Sequence, residues 1–259
     1  MESLDAADIM YNLSKTYEDC RSYADRGLVR HYEQDGVEIY RLRVAFKLCF
    51  QRPDNFYFEW VERPLGDPEK ADYRVSALWT EGSQTYRHFS SEKQVLPCQS
   101  LDLAIATATG TSKGASMTVS AYLLPSLKQK VRTMLRIKEL ERLEDAIVDG
   151  VDCYHLKGKT WTDSEEEFWI EKEKCLLKRV RVGIVIKPGI DESKFLAIKA
   201  IDEQKALEYR QFRESQTEAR RFWNQIDYHE ADIDCPIEPC DFLFAAERKS
   251  DLIPSFNVL

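Results

Sequence analysis

The chain has 259 residues, with 45 acidic against 37 basic side chains, a formal net charge of -8 and a mean hydropathy of -0.48. Its basic residues are interspersed with acids, which argues against a phosphate-tracking surface, so no nucleic-acid partner is expected. The longest charge-free stretches, 103–112 and 114–127, fall short of the ~20 residues that a membrane-spanning helix needs, so no membrane span is expected.

The first residues carry acids where a secretory leader would have a basic start and an apolar run. The chain as given is expected in the cytoplasm, or in the periplasm if an export signal has been removed. Seven cysteines occur without a C-x-x-C pair or an even framework at short spacing. They are expected to be reduced and mostly buried, with Cys235 and Cys240 able to pair if oxidised.

Asp5 is an N-cap for a first helix over 5–20, with Ile9, Met10, Leu13 and Tyr17 at helical spacing. The period then changes to two over 23–34 and 37–51, with a turn signal at Gln34-Asp35-Gly36, which predicts a hairpin of long strands. Strands follow over 56–62, 73–80 and 85–89, separated by the Pro- and Gly-rich loop 63–72 and by Glu81-Gly82. The segment 101–124 is apolar and rich in small residues; its spacing predicts two short helices, 101–109 and 117–124, broken at Gly110-Thr111-Ser112-Lys113-Gly114 and stopped near Pro125. Strand character resumes over 140–148, 153–157, 166–171 and 175–186. A Lys- and Glu-rich stretch over 191–221 predicts one helix or two short ones, and strands return over 222–233 and 241–245.

Signatures of catalysis are sparse. The break at 110–114 looks like a phosphate loop, but its Lys precedes the second Gly. Ser90-Ser91-Glu92-Lys93 fits S-x-x-K without the companion motifs of that chemistry, and is read as a loop. Cys153 and His155 could share a ligand face, but a zinc site needs about four such ligands. Glu165-Glu166-Glu167 is read as a solvated face, because paired acid and base carboxylates act from opposed positions around a pocket. No metal, no cofactor and no enzymatic activity are expected.

What remains is shape. Phe46, Leu48 and Phe50 alternate onto one face, Phe56, Phe58 and Trp60 onto a face beside it, and Val75, Ala77 and Trp79 are expected to join them. With Leu101, Ile105, Met117, Leu123 and Leu124 from the helical segment above, these are the candidate cavity-lining residues. Apolar pockets and apolar cores share this pattern, so a filled core stays open as the alternative.

Several pieces, in order along nearly the whole chain, carry a family resemblance: SYADRG at 22–27, FQRPDNFYFEW at 50–60, LWTEG at 78–82, the 101–124 segment with its GTSKG break, DGVDCY at 149–154, FWI at 168–170 and IEPCDFLF at 237–244. In these the chain resembles a poorly characterised branch of the LolA/LolB-like superfamily of outer-membrane lipoprotein-sorting proteins. The resemblance implies an α+β fold, an incomplete antiparallel β-barrel whose strongly curved sheet is covered on its concave side by helices. One domain over 1–259 is expected: N-terminal helix 5–20, strands 22–89, helical lid 99–125, strands 140–186, helical insertion 191–221 and C-terminal strands 222–245. Carriers of this superfamily keep an Arg before a Pro on a barrel strand, where it hydrogen-bonds the lid, and Arg52-Pro53 matches that pair, so the resemblance makes Arg52 the lid latch. It further implies a monomeric, non-enzymatic carrier of a lipid or acyl chain. The alternative is an interaction or structural module with a side-chain-filled cavity. The 191–221 stretch is longer than the usual connection there and is read as a cover for the barrel mouth or a surface for a protein partner.

Overall fold

The computed structural model describes residues 4–33, 36–39, 43–62, 73–131, 136–186, 188–200, 202–215, 217–242, 244 and 250–252. Helix α1 (Ala6–Asp19) is followed by strands β1 (Ser22–Glu33), β2 (Val44–Gln51), β3 (Asn55–Glu62), β4 (Arg74–Glu81), β5 (Gln84–His88) and β6 (Leu96–Cys98). The lid consists of α2 (Leu101–Ala108), α3 (Ala115–Thr118), α4 (Ser120–Leu123) and α5 (Pro125–Lys130). After it come β7 (Lys138–Arg142), β8 (Ala146–Val148), β9 (Val151–Lys159), β10 (Glu165–Glu171) and β11 (Leu177–Ile186), then α6 (Glu192–Lys199), α7 (Glu203–Glu214), β12 (Arg220–Tyr228) and β13 (Asp232–Ile233).

All strands belong to one antiparallel sheet in the order β6-β5-β4-β3-β2-β1-β12-β11-β10-β9-β7, with β13 on β1 and β8 on β9. The end strands β6 and β7 do not pair with each other, so the sheet is not closed. This is the α+β architecture that the sequence leads one to expect, an open antiparallel sheet with helices laid across one face.

Alternation builds the covered face. In β2 and β3, Phe46, Leu48, Phe50, Phe56, Phe58 and Trp60 point under the lid and pack with Ile105, Leu123 and Leu124 in one continuous core. The rings interlock: Phe46–Phe58 at 6.1 Å, Phe58–Trp60 at 5.6 Å, Trp60–Phe89 at 5.4 Å and Phe46–Tyr228 at 5.7 Å between centroids. Gly27 makes room for this packing, since a Cβ there would lie 2.3 Å from Phe46 Cζ and 2.3 Å from the Asp227 carbonyl oxygen. Under this half of the lid, large side chains pack in one continuous cluster.

Trp79 lies on the opposite face. Cross-strand register pairs Tyr57 with Trp79 and Phe58 with Leu78, so Leu78 enters the covered core while Trp79, with Ala77, packs against Tyr57 and Phe242 beneath the C-terminal segment. Val75 likewise belongs to the outer cluster of Leu28, Ala45, Val61 and Leu252. Both faces of β3 and β4 are apolar, so alternation fixed the period but not which phase pointed inward.

Other boundaries also differ. Pro125 begins α5 at a position where its missing N–H costs no hydrogen bond, instead of ending the lid. β2 starts at Val44 rather than at 37, and residues 37–39 run back beside β1 through a single bridge between Tyr32 and Glu38. The expected strand 241–245 is replaced by a 3-10 turn, Pro239–Phe242, and residues 243 and 245 lie outside the described residues. So do the loop 63–72, Ile201 in the helical insertion, and the side chain of Cys240. The six cysteines whose side chains are described are free.

Candidate functional site: a cavity under the lid

Helix α1 is held at both ends. Asp5 accepts the Asp8 N–H at 2.8 Å, and Ile9, Leu13 and Tyr17 form its buried stripe. At its C-terminus Arg52 donates to the carbonyls of Cys20 and Glu18, each at 2.7 Å, and of Tyr17 at 3.2 Å. These are carbonyls that a helix end leaves unsatisfied. The same Nη2 reaches the Leu123 carbonyl in α4 at 3.3 Å. One guanidinium thus ties the β2–β3 turn to both α1 and the lid, while its flat face lies over Phe50 with its carbon 5.2 Å from the ring centroid. Lys128 in α5 adds a second tie, with its ammonium 2.7 Å from Ser14 Oγ and paired with Glu18.

The lid packs closely because its residues are small and several of its hydroxyls are satisfied locally, although Ser120 Oγ is buried without a partner among the described residues. Ala104, Ala108, Ala115 and Ala121 are buried, while Ser116 Oγ donates to the Ile105 carbonyl at 3.2 Å and Thr109 Oγ1 to the same oxygen at 2.9 Å. From the sheet, Asn224 Nδ2 donates to the Lys113 carbonyl at 2.8 Å and anchors the 110–114 break.

Under the second half of the lid the packing opens. A cavity of about 410 Å³ lies between α3–α4 and strands β10–β11, with Met117 and Tyr122 above, Phe168, Val182 and Val185 below, and Ile137 and the Thr160–Ser164 turn at its side. Gly158 lets the wall close, because a Cβ there would meet Ile137 Cγ2 at 2.3 Å and the Lys138 carbonyl oxygen at 2.9 Å. The turn is stiffened by Thr160 Oγ1, which accepts the N–H groups of Thr162 at 3.3 Å and Ser164 at 3.1 Å. Trp161, 49% exposed, and Val185, 46% exposed, stand at the mouth.

One ionisable carboxyl enters this cavity. Glu166 is half-buried on β10, opposite Val182 on β11 and Gly158 on β9, in the same phase of the strand as Phe168 and Ile170. Loss of water around it pushes its carboxyl up to about 7, and no hydrogen bond or counter-charge among the described residues contributes to that shift. Tyr122 faces it from the lid, and both burial and the Glu166 charge push the phenol up.

A second cleft, of about 240 Å³, lies on the outer face between β1–β3 and the C-terminal segment. Its charges are engaged with one another: Lys47 with Asp251 at 3.0 Å and Glu59 at 3.6 Å, and Arg26 with Asp251 at 2.6 Å. It reads as the seam that fastens the C-terminal segment.

Of the sequence-derived cavity residues, Met117 lines the cavity. Phe46, Leu48, Phe50, Phe56, Phe58, Trp60, Ile105, Leu123 and Leu124 are buried in the packed core, Leu101 lies against it, and Trp79 lies on the outer face. Glu166 sits inside an acidic run that reads as a solvated face, although alternation with Phe168 and Ile170 marks it as inward-facing. The lining half on β10 and β11 is of ordinary size and branching, and carries no signal until the register is known. Among the described residues no group of three or more His, Cys, Asp or Glu could hold a metal ion, and no helix is long and apolar enough to cross a membrane. His155 stacks on Trp169 at 4.4 Å and lies 3.4 Å from Glu167.

The described residues thus form an open antiparallel sheet with helices across one face and a cavity of about 410 Å³ beneath them. Among solved structures the chain is similar to a DUF1329 family protein from Desulfovibrio piger, at 12% identity over 95% of this chain and 100% of that one, with a TM-score of 0.36. It is also similar to a putative outer membrane lipoprotein-sorting protein domain from Vibrio parahaemolyticus, at 8% identity over 92% and 95% of the two chains, with a TM-score of 0.35. A third likeness is to the MucA/MucB complex of Pseudomonas aeruginosa, at 12% identity over 93% of this chain and 62% of that one, with a TM-score of 0.35. No protein-family profile and no curated protein matches the chain.

Proposed function

We propose that the protein binds an apolar ligand, a lipid or a single acyl chain, in the cavity beneath α3 and α4, and releases it when the lid lifts. The observation that carries this reading is the contrast between two parts of the covered face: large aromatic side chains from β2 and β3 pack into one continuous core, while about 410 Å³ stays open over β10–β11. That volume lies in the range of small-molecule sites, roughly 300–1,000 Å³. Each buried methylene of a ligand would contribute about 0.8 kcal/mol, so a chain needs few polar anchors to be held. Arg52 supports a gating role, because it joins the lid to the fixed end of α1 through carbonyls alone.

Native mass spectrometry of the purified protein, followed by organic extraction, tests the reading. A lipid or fatty-acyl species bound one to one is expected. Failure to recover any, together with no uptake of a fluorescent fatty alcohol, overturns it.

A second reading rests on the helical insertion. Helices α6 and α7 pack on each other, with Phe195 and Ala206 buried between them, yet Leu196 and Phe212 are 61% and 55% exposed. This pair of helices sits between β11 and β12 and offers a surface to a protein partner. A protein that carries no lipid but binds a partner only with 191–215 intact would favour it.

A further inference from the structure

Among the described residues, the side chains that line the cavity beneath the lid bring one carboxyl and no basic group. The described lining consists of Met117, Tyr122, Ile137, Phe168, Val182 and Val185, with threonines, a serine, a glycine and Trp161 at the rim; Glu166 brings a carboxyl, and no Lys, Arg or His among the described residues accompanies it. The nearby Glu165 is engaged elsewhere, with Arg221 at 3.4 Å and Lys157 at 3.9 Å. An anionic head group, such as a carboxylate or a phosphate, would find no counter-charge in this site and would meet Glu166 as a like charge.

We infer that the cavity selects a cationic amphiphile: an apolar tail between Phe168, Val182 and Met117, and an ammonium head paired with Glu166. This rests on the proposed function and adds the chemical class of the ligand. Three observations support it. The side chain shares the inward phase of β10 with Phe168, so a tail lying on Phe168 places its head beside the carboxyl. Tyr122 and Trp161 line the same space, and aromatic rings attract a cation through their quadrupoles. A carboxyl whose charged form partial burial disfavours regains its charge when an ammonium replaces the water it has lost, so the pair forms in a partly desolvated site.

The experiment compares decylamine, 1-decanol and decanoate, each below its micelle concentration, by isothermal titration calorimetry at pH 8 with wild-type protein and with Glu166→Gln. Decylamine is expected to bind wild type more tightly than decanoate by about tenfold or more, the scale of one well-placed charge pair in a partly buried site. In Glu166→Gln the two should converge while 1-decanol is unchanged, since the amide keeps the shape and drops the charge. Decanoate binding as tightly as the amine, or a preference for the amine that survives in Glu166→Gln, overturns the inference and leaves the cavity reading standing if 1-decanol binds. Failure of all three to bind overturns both.

Discussion

The Arg52 guanidinium and the Leu123 carbonyl, 71 positions apart in the chain, meet at 3.3 Å, and the same side chain holds three carbonyls at the end of α1. Together with Lys128, which ties α5 to Ser14 and Glu18, Arg52 fastens the lid to the end of α1. Replacing it with Met keeps the aliphatic stem over Phe50 and removes all four hydrogen bonds. Arg52→Met should lower stability by about 2–3 kcal/mol, because several helix-end carbonyls lose a charged donor. It should also speed exchange of a bound fluorescent fatty alcohol, measured by stopped flow. Unchanged exchange in a folded variant would reduce Arg52 to a helix cap.

Filling the cavity separates ligand binding from folding. Val182 lies in β11 beneath the open space and borders the main core, so Val182→Phe occupies volume that a ligand would use. Thermal stability is expected to stay within about 1 kcal/mol of wild type, because the added ring enters a void instead of a packed site. Uptake of the fatty alcohol should fall by about tenfold or more at equal protein concentration. Wild-type uptake in this variant would place the ligand elsewhere.

Gly27 offers the opposite case. A methyl group there collides with both the Phe46 ring and the Asp227 backbone at 2.3 Å, in the best-packed part of the molecule. Gly27→Ala should cost about 2–4 kcal/mol, near the upper range for overpacked cores, in a urea denaturation series monitored by far-ultraviolet circular dichroism. A loss below about 0.5 kcal/mol would show that β1 and β12 can part to accept it.

Stability should also depend on pH through Asp25. This carboxyl is buried among tyrosines, accepting the Tyr23 hydroxyl at 2.7 Å and the Leu48 N–H at 3.1 Å, and desolvation pushes it up to about 7. Its folded value lies above the unfolded value of about 3.9, so the folded state holds the extra proton between them. The contribution is fully present below pH ~4 and is lost as pH rises through about 7. Asp25→Asn removes this titration. The variant should gain on wild type by on the order of 3 kcal/mol between pH 4 and pH 8, measured as the difference in unfolding free energy at the two pH values. A constant gap across that range would mean that the carboxyl titrates normally.

The parts legible in the sequence are those where one local signal suffices. The stripe Ile9, Leu13, Tyr17 behind the Asp5 cap appears as helix α1, and Phe56, Phe58 and Trp60 share one buried face because period two leaves no other arrangement. Arg52 was placed by its neighbour Pro53 and by family resemblance, and the structure puts its donors on both α1 and the lid. Register was not legible. Tyr57 opposite Trp79 and Phe58 opposite Leu78 is a relation between strands, and since both phases of β4 are apolar, its sequence accepts either orientation. Cavity position was hidden for the same reason: the aromatics of β2 and β3 advertise volume but consume it in the core, and the free space lies over Val182, Gly183 and Val185 of β11, which carry no signal of their own. The Glu165–Glu167 run shows how composition misleads, since alternation turns its middle member inward.

The strand order carries a consequence for how the chain is made. β1, near the N-terminus, takes β12 as its second neighbour, from Gly27 opposite Tyr228 to Glu33 opposite Phe222. Until residues 220–228 leave the ribosome, that edge of β1 stays unpaired, with β2 already able to zip onto the other side. A nascent chain stalled in the α6–α7 region would present a long, ready-made edge to any neighbouring strand. Completion of the sheet therefore waits on residues 220–228 and on the closure of a loop of almost two hundred residues, a contact order that favours slow folding and early chaperone engagement.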